Sequence, residues 1–158
     1  MKKLTISGLS ALLGASVGAV AVGTMQKPKT VRRADHTQKM TEFYRILIEW
    51  LRIRQEGKSL VSYFIQNGYK TVAIYGMKEL GERLYDELKD SEISVKYVID
   101  KNADAIYVDV DVVTPEDFLE EVDVIVVTAI HYFDEIESML GEKVDYPIIS
   151  LEDIIYEI

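Results

Sequence analysis

The chain contains no cysteine, so it forms no disulfide and offers neither a thiolate nucleophile nor a cysteine-ligated metal. Histidine is almost as scarce, since the chain has only two, His36 and His131. His36 lies in a basic segment ahead of the globular part, and a lone histidine without an orienting carboxylate is a poor general acid or base. The sequence therefore lacks a convincing acid–base pair, which argues against an enzyme.

Positive charge is scarce in the larger part of the chain. Residues 59–158 carry 7 Lys and Arg against 23 Asp and Glu, whereas residues 1–58 carry 11 against 4. An acidic globular part argues against a nucleic-acid surface, and a basic segment beside an apolar one favours anionic lipid headgroups as a partner. One cluster of carboxylates is typical of a solvated helix face, so no metal site is predicted. Its members are Glu116, Asp117, Glu120, Glu121 and Asp123.

Residues 4–25 carry no charge. As a helix this run would reach about 33 Å, which is long enough to cross a bilayer. It predicts a single-pass transmembrane anchor; a cleaved signal peptide is the alternative, because Ala19-Val20-Ala21 resembles a cleavage site. Basic residues crowd the segment that follows, and the positive-inside tendency then places the C-terminal domain in the cytoplasm.

Small residues recur within the predicted span. Gly14 and Gly18 form a G-x-x-x-G, a spacing that lets two helix backbones approach closely in lipid. This face of helix 4–25 predicts a homo-oligomer or a membrane-protein partner, although such spacing is also common in spans that are simply rich in small residues.

Residues 26–38 are basic and polar and predict a linker. Residues 39–68 predict a helical hairpin, with helices over 39–56 and 59–67 that end at glycines. The first helix carries a broad apolar stripe, which must be covered by the sheet domain, by a second copy or, as the lesser possibility, by a membrane surface. The stripe comprises Met40, Phe43, Tyr44, Leu47, Trp50 and Leu51, widened by Ile46 and Ile53.

The stretch from Thr71 to Leu88 combines a strand pattern with a helix pattern. Thr71–Tyr75 is the apolar, β-branched run of a buried parallel strand, and from Leu80 the leucines recur at helical spacing. Gly76 separates the two. At such a turn the first helical N–H groups lack backbone partners and the helix dipole adds positive charge, so the turn favours an anion such as a pyrophosphate.

The dinucleotide fingerprint requires glycine at three positions. Gly76 fits the tight turn, and Gly81 fits the position where the helix packs closely on its strand. Lys78 replaces the middle glycine, so its side chain either blocks the approach of the phosphates or meets a phosphate with its ammonium group. The corner is therefore either a nucleotide site or only a well-packed turn.

Strands and helices alternate over residues 69–158, which predicts an α/β fold with a small doubly wound parallel five-stranded sheet of order 3-2-1-4-5. That order places a ligand crevice beyond the C-terminal ends of the first and fourth strands. The later elements are predicted as strands over 94–100, 122–129 and 146–150, one or two short strands within 105–113, and helices over 114–121, over 134–140 and after 150.

Three segments carry a resemblance to a known family: Ala73-Ile74-Tyr75-Gly76-x-x-Glu79-Leu80-Gly81, Tyr97-Val98-Ile99-Asp100 and Val122-Asp123-Val124-Ile125-Val126-Val127. The region 69–158 resembles the Rossmann-type domains that precede or accompany bacterial surface-polysaccharide enzymes. These include N-terminal domains of sugar-nucleotide epimerase and dehydratase proteins and of sugar acyltransferases. The resemblance implies binding of NAD(P) or a sugar nucleotide, and says little about catalysis.

The candidate binding residues follow from this fold. Asp100 lies 19 positions after Gly81, where such folds place a carboxylate that accepts ribose hydroxyls; an acidic residue that opens a turn is the alternative. Thr128 and His131 follow the fourth strand, on the predicted rim. The complete set is Gly76, Met77, Lys78, Gly81, Asp100, Lys101, Thr128 and His131.

Three classes of function remain open. The first is a membrane-tethered nucleotide or sugar-nucleotide binder, a sensor or accessory subunit beside polysaccharide enzymes. The second is an oxidoreductase or epimerase, weakened because no substrate domain follows the fifth strand. The spacing Tyr85-x-x-x-Lys89 matches short-chain dehydrogenases, but on the wrong helix. The third is a degenerate scaffold that binds only protein, which Lys78 favours.

Overall fold

A computed structural model of the chain describes residues 29–158. The first helix, α1, spans Lys29–Gln55, and α2 spans Val61–Gln66. The helix therefore begins ten residues before the predicted start at residue 39, and the basic segment is helical from Lys29 onward. Within this part of the chain no helix combines the length and apolar character needed to cross a membrane. The predicted span 4–25 lies outside the described residues.

Five parallel strands form one sheet in the order β3-β2-β1-β4-β5, which confirms the predicted topology. β1 is central and pairs with β2 on one side and β4 on the other. Four of its five residues are buried, as expected for a strand covered on both faces. The strands are β1 Thr71–Tyr75, β2 Ser94–Ile99, β3 Asp111–Val113, β4 Val124–Val127 and β5 Ile148–Ser150.

Helices cover the two faces of the sheet unequally. On one face α1, α2, α3 (Glu79–Leu88) and α5 (Leu151–Glu157) share a core with the inward residues of β1, β2 and β4. On the other face α4 (Phe133–Gly141) covers only part of the sheet, and Leu119 and Val122 of the β3–β4 connection fill the remainder. Two short 3-10 helices complete the structure, Ala103–Ala105 and Ile130–Tyr132.

The helix predicted over residues 114–121 does not form. Thr114 and Asp117 instead close a turn: the amide and hydroxyl of Thr114 both donate to the Asp117 carboxylate, at 2.7 and 2.8 Å, and the Asp117 amide donates to the Thr114 carbonyl. Downstream, the Tyr97 hydroxyl donates to the Glu120 carbonyl at 2.6 Å. Leu119 and Val122 pack on the sheet, so the connection lies along the sheet in place of a helix.

Candidate functional site

The corner between β1 and α3 depends on its two glycines. Gly76 has φ +90°, a conformation that L side chains rarely adopt. A Cβ placed on Gly81 would lie 2.1 Å from the Gly76 carbonyl oxygen, so α3 approaches the turn more closely than any side chain permits. These are the turn and packing roles that the sequence predicts for Gly76 and Gly81.

Thr128 fastens the end of β4 to this corner. Its side chain is 6% exposed, and its hydroxyl lies 2.7 Å from the Gly76 carbonyl and 3.1 Å from the Tyr75 carbonyl. Its amide donates to the Tyr75 carbonyl as well. Thr128 therefore holds the two central strand ends together, and its hydroxyl proton is used within the protein.

A cleft of about 640 Å³ opens at this edge of the sheet, within the size range of small-molecule sites. Its walls are the residues after β1, β2 and β4, the first half of α4, and Phe43 of α1. The ends of β1 and β4 meet here, where the strand order reverses, which is the usual ligand position in open parallel sheets. Six predicted residues line the cleft: Gly76, Lys78, Asp100, Lys101, Thr128 and His131.

The remaining two predicted residues do not line it. Gly81 is buried under the turn, with its Cα facing Gly76. The Met77 side chain lines a separate groove of about 620 Å³ between α3 and residues 106–112. The backbone amide of Met77 donates to the carboxylate of Asp100, which does line the cleft.

Charges of both signs surround the cleft. The N-terminal end of α3 has no side-chain cap, so its first amides are available to a ligand. Lys78 and Lys101 are exposed at the rim. Glu79, Asp100 and Glu135 also line the cleft, so each rim lysine has a carboxylate as its neighbour in the sequence.

Asp100 faces the glycine turn. One carboxylate oxygen accepts the Met77 amide at 3.0 Å, and the other accepts the Asn102 amide at 2.9 Å. Because each oxygen retains a second lone pair, the carboxylate can still accept a ligand hydroxyl. It also occupies one of the amides that a phosphate group at the turn would use.

His131 contacts α1. Its Nε2 lies 3.1 Å from the Lys39 carbonyl oxygen, and its Nδ1 lies 3.3 Å from a Glu42 carboxylate oxygen. Beside it, the Lys39 ammonium lies 4.7 Å from the centre of the Tyr132 ring, within cation–π range. A neutral imidazole carries a single N–H, so it can donate to only one of these two acceptors at a time. His131 therefore joins the cleft wall to α1, and Glu42 is a carboxylate beside it that the local sequence did not reveal.

Tyr75 also lines the cleft, although it is not among the predicted binding residues. It ends β1, is 4% exposed, and its hydroxyl has no hydrogen-bond partner among the described residues. Burial raises its pKa, and the nearby carboxylates of Asp100 and Glu116 raise it further, so the phenol stays protonated. The only signal in the sequence is a tyrosine at the last position of a buried strand, where aliphatic residues are usual.

No group of three histidine or carboxylate side chains within residues 29–158 is arranged to hold a metal ion. Comparisons of the chain with protein-family models, with curated proteins and with solved structures find no match. A function is therefore argued from the geometry of the chain alone. Its features are an all-parallel sheet of order 3-2-1-4-5 and a cleft at the point where the strand order reverses.

Proposed function

We propose that the chain binds a nucleotide or a sugar nucleotide in the cleft and holds it at a membrane. In this proposal it is a non-catalytic sensor or accessory subunit that serves surface-polysaccharide synthesis. The observation that carries the binding is the position of the cleft: it adjoins the uncapped N-terminal end of α3, with Lys78 and Lys101 at its rim. NAD(P) or a nucleoside-diphosphate sugar fits a site with an anion-binding end and a larger apolar remainder.

Two further features support a binding role without catalysis. His131 lies between the Lys39 carbonyl and the Glu42 carboxylate of α1, so its contacts are with the protein. The Thr128 hydroxyl is directed at backbone carbonyls. Among the residues described at the cleft, these contacts favour recognition of a ligand over acid–base chemistry. The uncharged run 4–25 supports the membrane tether, and the residue-level resemblance supports the link to polysaccharide synthesis.

The test is thermal unfolding of the full chain in mild detergent, followed by the fluorescence of Trp50, its only tryptophan. The panel is NAD, NADP, UDP-sugars, CoA and buffer. A ligand selective for the native state at 100 times its Kd stabilises it by about 2.7 kcal/mol, which raises Tm by roughly 5–10 °C in a chain of this size. No shift with any compound at millimolar concentration contradicts the proposal.

Matched lysine variants locate the site. Lys78→Ala and Lys101→Ala remove the rim cations and are expected to reduce the shift. Lys96→Ala changes an equally exposed lysine on β2 that does not line the cleft, and is expected to leave the shift intact. Equal effects from all three variants would indicate general electrostatics in place of a site at the cleft.

A protein-binding scaffold is the second candidate, and one contact favours it. Asp100 already occupies the Met77 amide at the turn, so the corner is partly satisfied without a ligand. If the chain is such a scaffold, Asp100→Ala destabilises the protein and leaves the Tm unaffected by every nucleotide, as in the natural chain. If the chain binds a nucleotide, the same variant reduces the Tm shift that this nucleotide causes.

A further inference from the structure

Helix α1 is apolar on two opposite faces. The face toward the domain buries Ile46, Trp50 and Ile53, which are 0%, 6% and 0% exposed. The face that points away from the domain carries Met40, Tyr44, Ile48 and Leu51, which are 53%, 63%, 46% and 52% exposed. Spacings of four, four and three residues align these four side chains on one stripe. We call them the outer stripe of α1.

The polar residues on this face are satisfied within the helix. The Thr37 hydroxyl donates to the Arg33 carbonyl at 2.9 Å, and the Thr41 hydroxyl donates to the Thr37 carbonyl at 2.9 Å. Their hydroxyl groups therefore need no water, and their methyl groups extend the apolar surface. From Thr37 to Leu51 the surface is about 21 Å long at 1.5 Å per residue. A continuous exposed surface of this kind marks an interaction site.

Arginines border the outer stripe. Arg45 and Arg52 lie on one side of it, Arg54 lies on the other, and Arg33 lies toward its N-terminal end. Arg52 is paired with Glu49 and Glu56, and Arg54 with Glu87 at 3.3 Å. Arg33 and Arg45 form no ion pair with any described residue. Arg52 and Arg54 are thus neutralised by carboxylates, and Arg33 and Arg45 are the cations that the apolar stripe leaves available at its border.

We infer that the outer stripe of α1 lies on an anionic lipid bilayer, with its arginines at the headgroups and the acidic sheet domain turned toward the aqueous side. An amphipathic helix with basic borders takes this position, its apolar face at the acyl boundary and its arginines at the phosphates. Charge complementarity selects the anionic leaflet, because residues 59–158 carry 23 acidic against 7 basic residues and would be repelled from it.

The preceding sequence favours a membrane over a second copy of the chain. Three residues, 26–28, separate the uncharged run 4–25 from α1, which begins at Lys29 directly after Pro28. Any insertion of that run brings α1 to the bilayer surface, within reach of the headgroups. In a symmetric pair of α1 helices the unpaired arginines of both copies would border one contact, while Glu49 and Glu56 are already engaged by Arg52.

The absence of cysteine provides the test. Full-length Tyr44→Cys, labelled with an environment-sensitive fluorophore, is placed in vesicles of phosphatidylcholine with or without 30% phosphatidylglycerol. The label is expected to shift to the blue and to lose iodide quenching in the anionic vesicles. Glu137→Cys, at an exposed position on α4, is the matched control and is expected to be unchanged. Ile48→Cys repeats the measurement if the first variant fails to fold.

Arginine variants distinguish an anionic lipid surface from a second copy of the chain as the partner of the outer stripe. Arg33→Gln and Arg45→Gln are each expected to lower the ratio of docked to undocked protein about fivefold in anionic vesicles. Equal quenching at position 44 in both lipids overturns the inference. Shielding that is the same in both lipids and falls when the protein is diluted in the bilayer assigns the stripe to a second copy, and overturns it too. Neither result depends on a nucleotide, so failure of the proposed cleft function is read separately.

Discussion

The indole nitrogen of Trp50 donates to a carboxylate oxygen of Glu87 at 2.8 Å, which joins α1 to α3. The other oxygen of Glu87 accepts the backbone amide of Leu60 at 2.7 Å, at the start of α2. One side chain, 10% exposed, therefore connects three helices. Because Trp50 and Leu60 are buried, their donors depend on this carboxylate.

We expect Glu87→Ala to lower the free energy of unfolding by about 2–3 kcal/mol, since it leaves two buried donors without an acceptor. Glu87→Gln retains one acceptor oxygen, so its free energy of unfolding is expected to lie between those of the natural chain and Glu87→Ala. Urea unfolding in mild detergent, followed by circular dichroism, gives the values. Glu92→Ala removes an exposed carboxylate in the connection between α3 and β2. It should change the free energy of unfolding by less than about 0.5 kcal/mol. A similar loss in both alanine variants would refute this role for Glu87.

The two helical glycines of α3 and α4 are expected to respond in opposite directions to alanine. Gly81→Ala places a methyl group 2.1 Å from the Gly76 carbonyl oxygen, so it should destabilise the fold by about 2 kcal/mol or more despite better helix propensity. Gly141→Ala meets no atom within 4 Å and should be neutral or stabilise by up to about 1 kcal/mol. Thermal unfolding of the two variants measures the contrast, and two losses of equal size would contradict it.

Two buried tyrosines on the neighbouring strands β1 and β2 make a second pair of variants. The Tyr75 hydroxyl has no partner among the described residues, so Tyr75→Phe should raise stability by about 1 kcal/mol by removing an unsatisfied polar group. The Tyr97 hydroxyl donates to the Glu120 carbonyl at 2.6 Å, so Tyr97→Phe should lower it by about 1 kcal/mol. Chemical unfolding measures the sign of the stability change in each variant. A loss in Tyr75→Phe would mean that its hydroxyl already has a partner.

Asp123 gives the fold a pH dependence on the acid side. Its carboxylate accepts the amides of Lys70 and Thr71, each at 2.7 Å, and these donors hold its pKa below the usual value. A carboxylate with a lowered folded pKa stabilises the fold above its unfolded pKa, about 3.9, and loses that effect as the pH falls through the folded pKa.

Asp123→Asn should therefore be less stable than the natural chain at pH 7, and the two stabilities should converge below about pH 4. Thermal unfolding between pH 3 and pH 7 measures the convergence. Asp90→Asn, at an exposed carboxylate beyond the end of α3, should show a pH profile parallel to that of the natural chain. A gap for Asp123→Asn that does not narrow at all between pH 7 and pH 3 would assign the loss to geometry and not to charge.

Local patterns predicted the sheet and its order, because strand and helix signals alternate cleanly after Thr71 and parallel connections allow few arrangements. They misplaced the start of α1, since residues 29–38 carry little apolar surface. The informative signal was the absence of glycine and proline between Pro28 and Gly57. They also placed a helix at Thr114-Pro115, where the same side chains close a turn and Leu119 is drawn onto the sheet.

The candidate site was predicted where it depends on the chain near Gly76, and missed where distant segments meet. The contact of His131 with Lys39 joins residues 92 positions apart, and the Thr128 contact with Gly76 joins residues 52 apart. No local periodicity encodes such pairs. Met40, Tyr44 and Leu51 were predicted to belong to one covered apolar stripe with Trp50, yet they are exposed. Which side of the helix faces the domain depends on tertiary packing.

Both edge strands of the sheet are short. β3 and β5 have three residues each; Asp111 opens β3, and Pro147 directly precedes β5. Short edge strands with a charge or a proline nearby are poor templates for a strand from another molecule. Copies of the domain at high local concentration would therefore have few open backbone groups through which to polymerise, so contacts between side chains would be favoured over growth of a shared sheet.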